Sequence, residues 1–116
     1  MPPPVTERPL FKILSRSAWE ARAGTLPRAP VDEADGFVHL SARHQVRETA
    51  EKHFATATEL VLVRLEGPLP GLRWEPSRGG ALFPHVYGDV SLEAVTEVTE
   101  LVGARAGSFA WPDDVA

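Results

Sequence analysis

No cysteine occurs among the 116 residues, so no disulfide can staple the chain and metal sites that need thiolate are excluded. That absence agrees with a reducing compartment. No apolar run approaches the roughly 20 residues needed to span a bilayer. The start, Met1-Pro2-Pro3-Pro4, lacks the basic opening and the apolar stretch of a secretory signal. A cytoplasmic protein without membrane contact is expected. A basic excess is missing too: the net charge is −4. This argues against broad nucleic-acid binding, which needs a dense cationic surface. The acidic residues form no block, so the overall charge speaks to solubility. No G-x-S-x-G, P-loop or G-x-G-x-x-G pattern is present, and no internal repeat.

What is present fits one domain of ordinary size, long enough to bury roughly two thirds of its unfolded surface. Residues 1–9 hold four prolines and read as a disordered lead-in. Leu10–Leu14 reads as a strand, with Phe11 and Ile13 on one face and Lys12 on the other. Ser17-x-x-Glu20 has the form of a capping box for a short helix that carries Trp19 and stops at Gly24. Thr25–Asp35, with Pro27 and Pro30, reads as a loop. Phe37–Ser41 alternates as a second strand, and Ser41 is placed to cap a helix over Ala42–Ala55 whose buried stripe is Val46, Ala50 and Phe54.

Glu59–Leu65 is a nearly continuous Leu and Val run, expected to be central and covered on both faces. Gly67-Pro68-Leu69-Pro70-Gly71 breaks the chain. Leu72–Glu75 is a short strand, Pro76–Gly80 a turn, and Leu82–Tyr87 an extended piece whose Pro84 suits an edge or loop. A helical turn over Ser91–Ala94 and a β-branched strand over Val95–Val102 follow. The tail, 103–116, carries Phe109 and Trp111 as docking side chains. The order of elements predicts an α+β domain over residues 10–102, with a mixed, mostly antiparallel sheet and two helices.

Two segments concentrate chemistry, and Gly36–Ser41 and Arg73–Gly88 are expected to wall one polar pocket. His39 and Ser41 share a strand face that ends at a helix N-terminus, where amides and the helix dipole favour an anion. Ser41 reads equally as a cap alone, and His39 as a satisfied, half-buried histidine. In the second segment Arg73 and Glu75 lie on one strand face and Trp74 on the other. Arg78 precedes two glycines free to present amides to a phosphate. His85 and Tyr87 complete a set of polar groups among Trp, Phe and Pro, the composition of a ligand pocket. Arg73 with Glu75 also reads as a plain surface pair. His44 and His53 are nine apart on the helix, not the i, i+4 spacing of a metal site, and are assigned no ligand role. No metal is expected.

Leu10-Phe11-Lys12-Ile13, Ala18-Trp19-Glu20, Gly36-Phe37-Val38-His39-Leu40-Ser41, Arg73-Trp74-Glu75 and Leu82-Phe83-Pro84-His85-Val86-Tyr87-Gly88 resemble, in unbroken order, the bacterial domain-of-unknown-function family 952. That resemblance implies a fold related to the ADP-ribosyltransferases, with NAD as the implied cofactor. It places Lys12 where those enzymes contact the nicotinamide ribose and makes His39-Leu40-Ser41 the second motif. The third motif, a glutamate supporting charge at the anomeric carbon, has no direct match. Glu75, His85 and His39 are the candidates for polar catalysis, and Lys12, Ser41, Arg73, Trp74, Arg78 and Tyr87 for ligand binding. Three functions follow: a binding module for a nucleotide or other phosphorylated, anionic small molecule; an NAD-dependent ADP-ribosyl or phosphate transferase; and a non-catalytic protein-interaction domain.

Overall fold

The computed structural model describes residues 9–54, 59–77, 80–102, 111 and 115. β1 (Leu10–Ser15) is buried along five of its six residues. One of its faces meets a second sheet and the other meets a helix. Ser15, not Ser17, caps α1 (Arg16–Glu20): its Oγ accepts the Ala18 N–H at 3.2 Å. The cap therefore forms directly at the strand end.

The expected loop over Thr25–Asp35 contains a helix, α2 (Pro30–Asp35). Pro30 stands at the first helical position, where its missing N–H costs nothing. Asp32 and Glu33 place negative charge in the first turn, favourable at the positive end of the helix dipole. Gly36 closes it in the left-handed region, φ 84°, a backbone state that glycine adopts without steric cost.

The expected strand Phe37–Ser41 divides in two, β2 (Val38–His39) and β3 (Ser41–Ala42), in different sheets. Leu40 is the crossing point and is buried, worth about 1.5–3 kcal/mol for a leucine side chain. Ser41 does not cap the following helix. A 3-10 turn (Arg43–Gln45) intervenes, the Gln45 side chain accepts the Ala42 N–H at 2.9 Å, and α3 begins only at Val46, running to His53.

β4 (Glu59–Leu65) is central, as its apolar run predicts, flanked by β1 and β7 (Val95–Val102). Among the described residues there are two antiparallel sheets in place of one mixed sheet: β3-β1-β4-β7 and β2-β6-β5. The same residues form three α-helices, not two. β5 (Leu72–Ser77) runs through Pro76, tolerable because β5 is an edge strand. β6 (Ala81–Val86) is the middle strand, so Pro84 is not at an edge. The Pro84 carbonyl accepts from Leu40 N at 2.9 Å. The carbonyl and nitrogen of one strand residue face the same side. Pro84 therefore turns its donorless nitrogen to the flank where the chain leaves for the other sheet.

Two apolar clusters result. Leu10, Leu14, Val61, Val63 and Leu65 share one with Val38 and Val86 of the second sheet and with the linking Leu40. Phe11, Ile13, Leu60, Leu62 and Leu101 share the other with Val46 and Ala50 of α3. Trp111 packs against this second cluster and Val115 is buried in it; Phe109 and the lead-in over 1–8 lie outside the described residues. Among the described residues no helix is long and apolar enough to cross a membrane.

Candidate functional site

Register decides what meets. His39 lies directly opposite His85, and His85 directly opposite Arg73. Period-2 alternation then puts His39, Phe83, His85, Arg73, Glu75 and Ser77 on one face of the three-stranded sheet. Trp74 is on the other face, packed against the inter-sheet core, and its buried Nε1 has no hydrogen-bond partner. Its indole is thus turned away from the histidines.

A cavity of about 180 Å³ opens beside this face, between α2, α3 and β1. Lys12, His39, Ser41 and His85 line it, as do Asp35, Thr49, His53 and Ser77. Phe11, Ile13, Val31, Phe54 and Phe83 supply apolar wall. His53, assigned no ligand role from its spacing, stands on this wall because α3 ends there. Ser41 Oγ is 2.9 Å from Thr49 Oγ1, a contact between side chains and not a helix cap.

Lys12 is buried, and its ammonium lies 2.6 Å from Asp32 and donates to the His39 carbonyl at 2.9 Å. Asp32 is the buried centre of this wall. Its Oδ2 also accepts the Ala29 N–H at 2.7 Å. Its Oδ1 accepts the His39 backbone N–H at 2.9 Å and lies 2.7 Å from Nδ1 of the same histidine. Burial alone would raise the Asp32 pKa, but the hydrogen bonds from His39 and the charge of Lys12 outweigh it and hold the carboxyl at about 2. For Lys12, burial lowers the ammonium below its usual range, while Asp32 pulls the other way. On its other side His39 Nε2 is 3.0 Å from Asp35.

His85 is held differently. Its Nδ1 is 2.8 Å from Glu75 Oε1, which also accepts the Tyr87 hydroxyl at 2.7 Å. These bonds from Tyr87 and His85 keep Glu75 below the usual carboxylate range. The shared bond raises the Tyr87 phenol. Phe37 lies against His39, His85 and Tyr87 at ring-centroid distances of 4.5, 4.4 and 5.0 Å. Arg73 sits over the Tyr87 ring at 5.4 Å, on the outer side of this stack and off the cavity wall. Arg78 lies outside the described residues. Among the described residues no group of three or more His, Cys, Asp or Glu side chains is arranged to hold a metal ion.

The architecture defines a small antiparallel α+β domain whose two sheets meet beside a histidine-lined cavity. The family model "Protein of unknown function (DUF952)" matches residues 13–98, and the chain belongs to that family. The crystal structure of protein CC0527 from Caulobacter crescentus is similar, at 43% identity and a TM-score of 0.80. That match covers 89% of this chain and 94% of that one. The solution NMR structure of CC0527 is also similar, with 46% identity and a TM-score of 0.69 over 81% of this chain and 84% of that one. No curated protein matches.

Proposed function

We propose that this domain binds a compact anionic small molecule, a phosphate ester in the first instance, in the cavity between α2, α3 and the second sheet. One observation carries the reading: His39, His53 and His85 line a cavity at which the single carboxylate exposed among the described lining residues, Asp35, is already engaged by His39. A histidine of this lining donates to an acceptor oxygen once it is protonated, while the phenylalanines favour a ring or short hydrocarbon. At about 180 Å³ the cavity is smaller than the ~300–1,000 Å³ of drug-sized sites. It suits one ring with one charged group better than a whole dinucleotide.

NAD-dependent transfer, implied by the resemblance to ADP-ribosyltransferases, has less support. Lys12, the residue matched to the ribose contact, is committed to Asp32 and the His39 carbonyl. Glu75, the nearest substitute for the missing glutamate, is committed to His85 and Tyr87. Release of nicotinamide from NAD by the wild-type protein would restore that reading.

A thermal-shift series with phenyl phosphate and other compact phosphates and carboxylates tests the proposal. A ligand at 100 times its Kd adds about 2.7 kcal/mol of stability, a rise of several degrees in Tm for a domain of this size. The rise is expected in wild type and absent in Val31→Phe, which fills the cavity. A blank series, or a response that survives Val31→Phe, overturns the assignment.

A further inference from the structure

We propose that His85 is the proton-accepting anchor of this cavity: its Nε2 receives a proton as a phosphate ester binds, and Glu75 is the positioning residue that leaves that nitrogen free to do so. The inference rests on the cavity being a phosphate-ester site and says which atom does the recognition.

The geometry runs from the carboxylate inward. Glu75 already accepts the Tyr87 hydroxyl at 2.7 Å on the oxygen that faces His85 Nδ1 at 2.8 Å. An ionised carboxylate only accepts, so Nδ1 carries the hydrogen. In the neutral ring Nε2 then holds the lone pair, because an imidazole that donates from one nitrogen accepts at the other. Among the described residues no protein group hydrogen-bonds Nε2. The residue is 5% exposed yet lines the cavity. Phe37 against one side of the ring and the pairing of β6 with both β2 and β5 hold its plane. His85 is thus a buried imidazole with a fixed tautomer and one nitrogen left for a ligand.

A phosphate oxygen cannot approach a lone pair without a proton between them. The monoanion of a phosphate ester brings that proton: the O–H bond of its P–OH group breaks, an Nε2–H bond forms, and a dianion faces an imidazolium. The dianion brings none, and Nε2 takes one from solvent. Either way the bound state is dianion and imidazolium, with Glu75 balancing the far side of the ring. The titratable and charged groups around His85 are Glu75 and Arg73 on β5, His39 on β2, Asp35 on α2, His53 on α3 and Lys12 on β1. Lys12 and His39 both contact Asp32, and Arg73 lies off the cavity wall. His85 has one ring nitrogen open and its tautomer fixed by a carboxylate.

Calorimetric titration with phenyl phosphate between pH 7 and 9, in buffers of different ionisation enthalpy, tests this. Above pH 7 the ester is almost wholly dianionic, since its second ionisation lies near 6. Remaining pH dependence therefore belongs to the protein. Wild type is expected to take up close to one proton per ligand, with affinity falling by up to tenfold per pH unit. His85→Gln should bind with no uptake and a flat profile. Glu75→Gln should show reduced uptake, and nitrogen-15 shifts of its His85 ring should report mixed tautomers where wild type shows hydrogen on Nδ1 alone. Affinity independent of pH, uptake that persists in His85→Gln, or hydrogen on Nε2 in the free protein overturns the proposal while leaving the cavity reading standing. Failure of wild type to bind phenyl phosphate at any pH overturns the cavity reading itself. Should either variant fail to fold, the wild-type ring shifts and proton uptake decide alone.

Discussion

Asp32 shows how one side chain organises the wall on which the site is built. Its two oxygens serve a buried ammonium, two backbone amides and an imidazole, so α2, β1 and β2 are tied at one point. The unfolded carboxyl takes its proton near its ordinary 3.8, the folded one only near 2. A depressed carboxylate gives stability that is complete above the unfolded value and lost as pH falls through the folded one. The window is therefore about pH 4 to 2, and the loss is about 2 kcal/mol. Urea denaturation at stepped pH should show this acid limb in wild type and a shallower one in Asp32→Asn. The substitution itself should cost about 3–5 kcal/mol at neutral pH, because it strands the Lys12 charge in the interior. An Asp32→Asn protein as stable as wild type would remove this residue from the centre of the wall. His39, Ser41 and His85 could be named as candidates from residue type and strand phase, which are local facts, and Lys12 only from the family resemblance; the structure brings the four to one cavity. Asp32 could not be named, since it acts through contacts with Lys12 and His39 that only the tertiary fold creates.

The same divide governs the elements. β4 and β7 are readable because runs of Val, Leu and Thr leave one conformation favoured by both propensity and burial. α2 hid behind Pro27 and Pro30, although Pro30 at the first helical position, acids in the first turn and Gly36 after the end are helix signals in their own right. The split of 37–41 between two sheets was not readable, because period 2 continues through Leu40 whichever partner each half takes. Nor does Pro84 announce a middle strand: its place there depends on where β2 departs. Gly71 is another tertiary requirement. It sits at φ 85°, and a Cβ there would lie 2.5 Å from the Tyr87 carbonyl oxygen. Its own carbonyl accepts the Tyr87 N–H at 3.0 Å, which docks the start of β5 beside the end of β6. Gly67 has a similar φ of 92°, but a Cβ there would meet nothing within 4 Å. Gly67→Ala should thus cost only the backbone strain, about 1 kcal/mol, and Gly71→Ala clearly more, about 2–4 kcal/mol with the clash. Chemical denaturation of the two variants reads the difference. Equal losses would mean that Tyr87 yields freely.

At the scale of the whole molecule, two sheets joined through Leu40 imply unequal protection against opening. β4 has a strand on each side and an apolar cluster on each face, so exposing its amides requires dismantling both cores. Among the described residues β5 has a neighbour on one side only, and its cavity-side residues face the histidines rather than close-packed hydrocarbon. Opening free energies track how much of the structure must separate. Native-state hydrogen exchange should therefore find the slowest amides at Leu60–Leu65 and their β1 partners, near the global unfolding limit. Amides of Leu72–Ser77 should exchange by smaller openings. The second sheet carries His39, His85 and Glu75, so an anion bound between it and α3 should slow exchange there first. At subsaturating phenyl phosphate, protection should rise in β5, β6 and α2 before it changes in β4. A uniform rise across both sheets would mean that the two sheets open as one unit, and that the cavity does not lie on the more labile side of the fold.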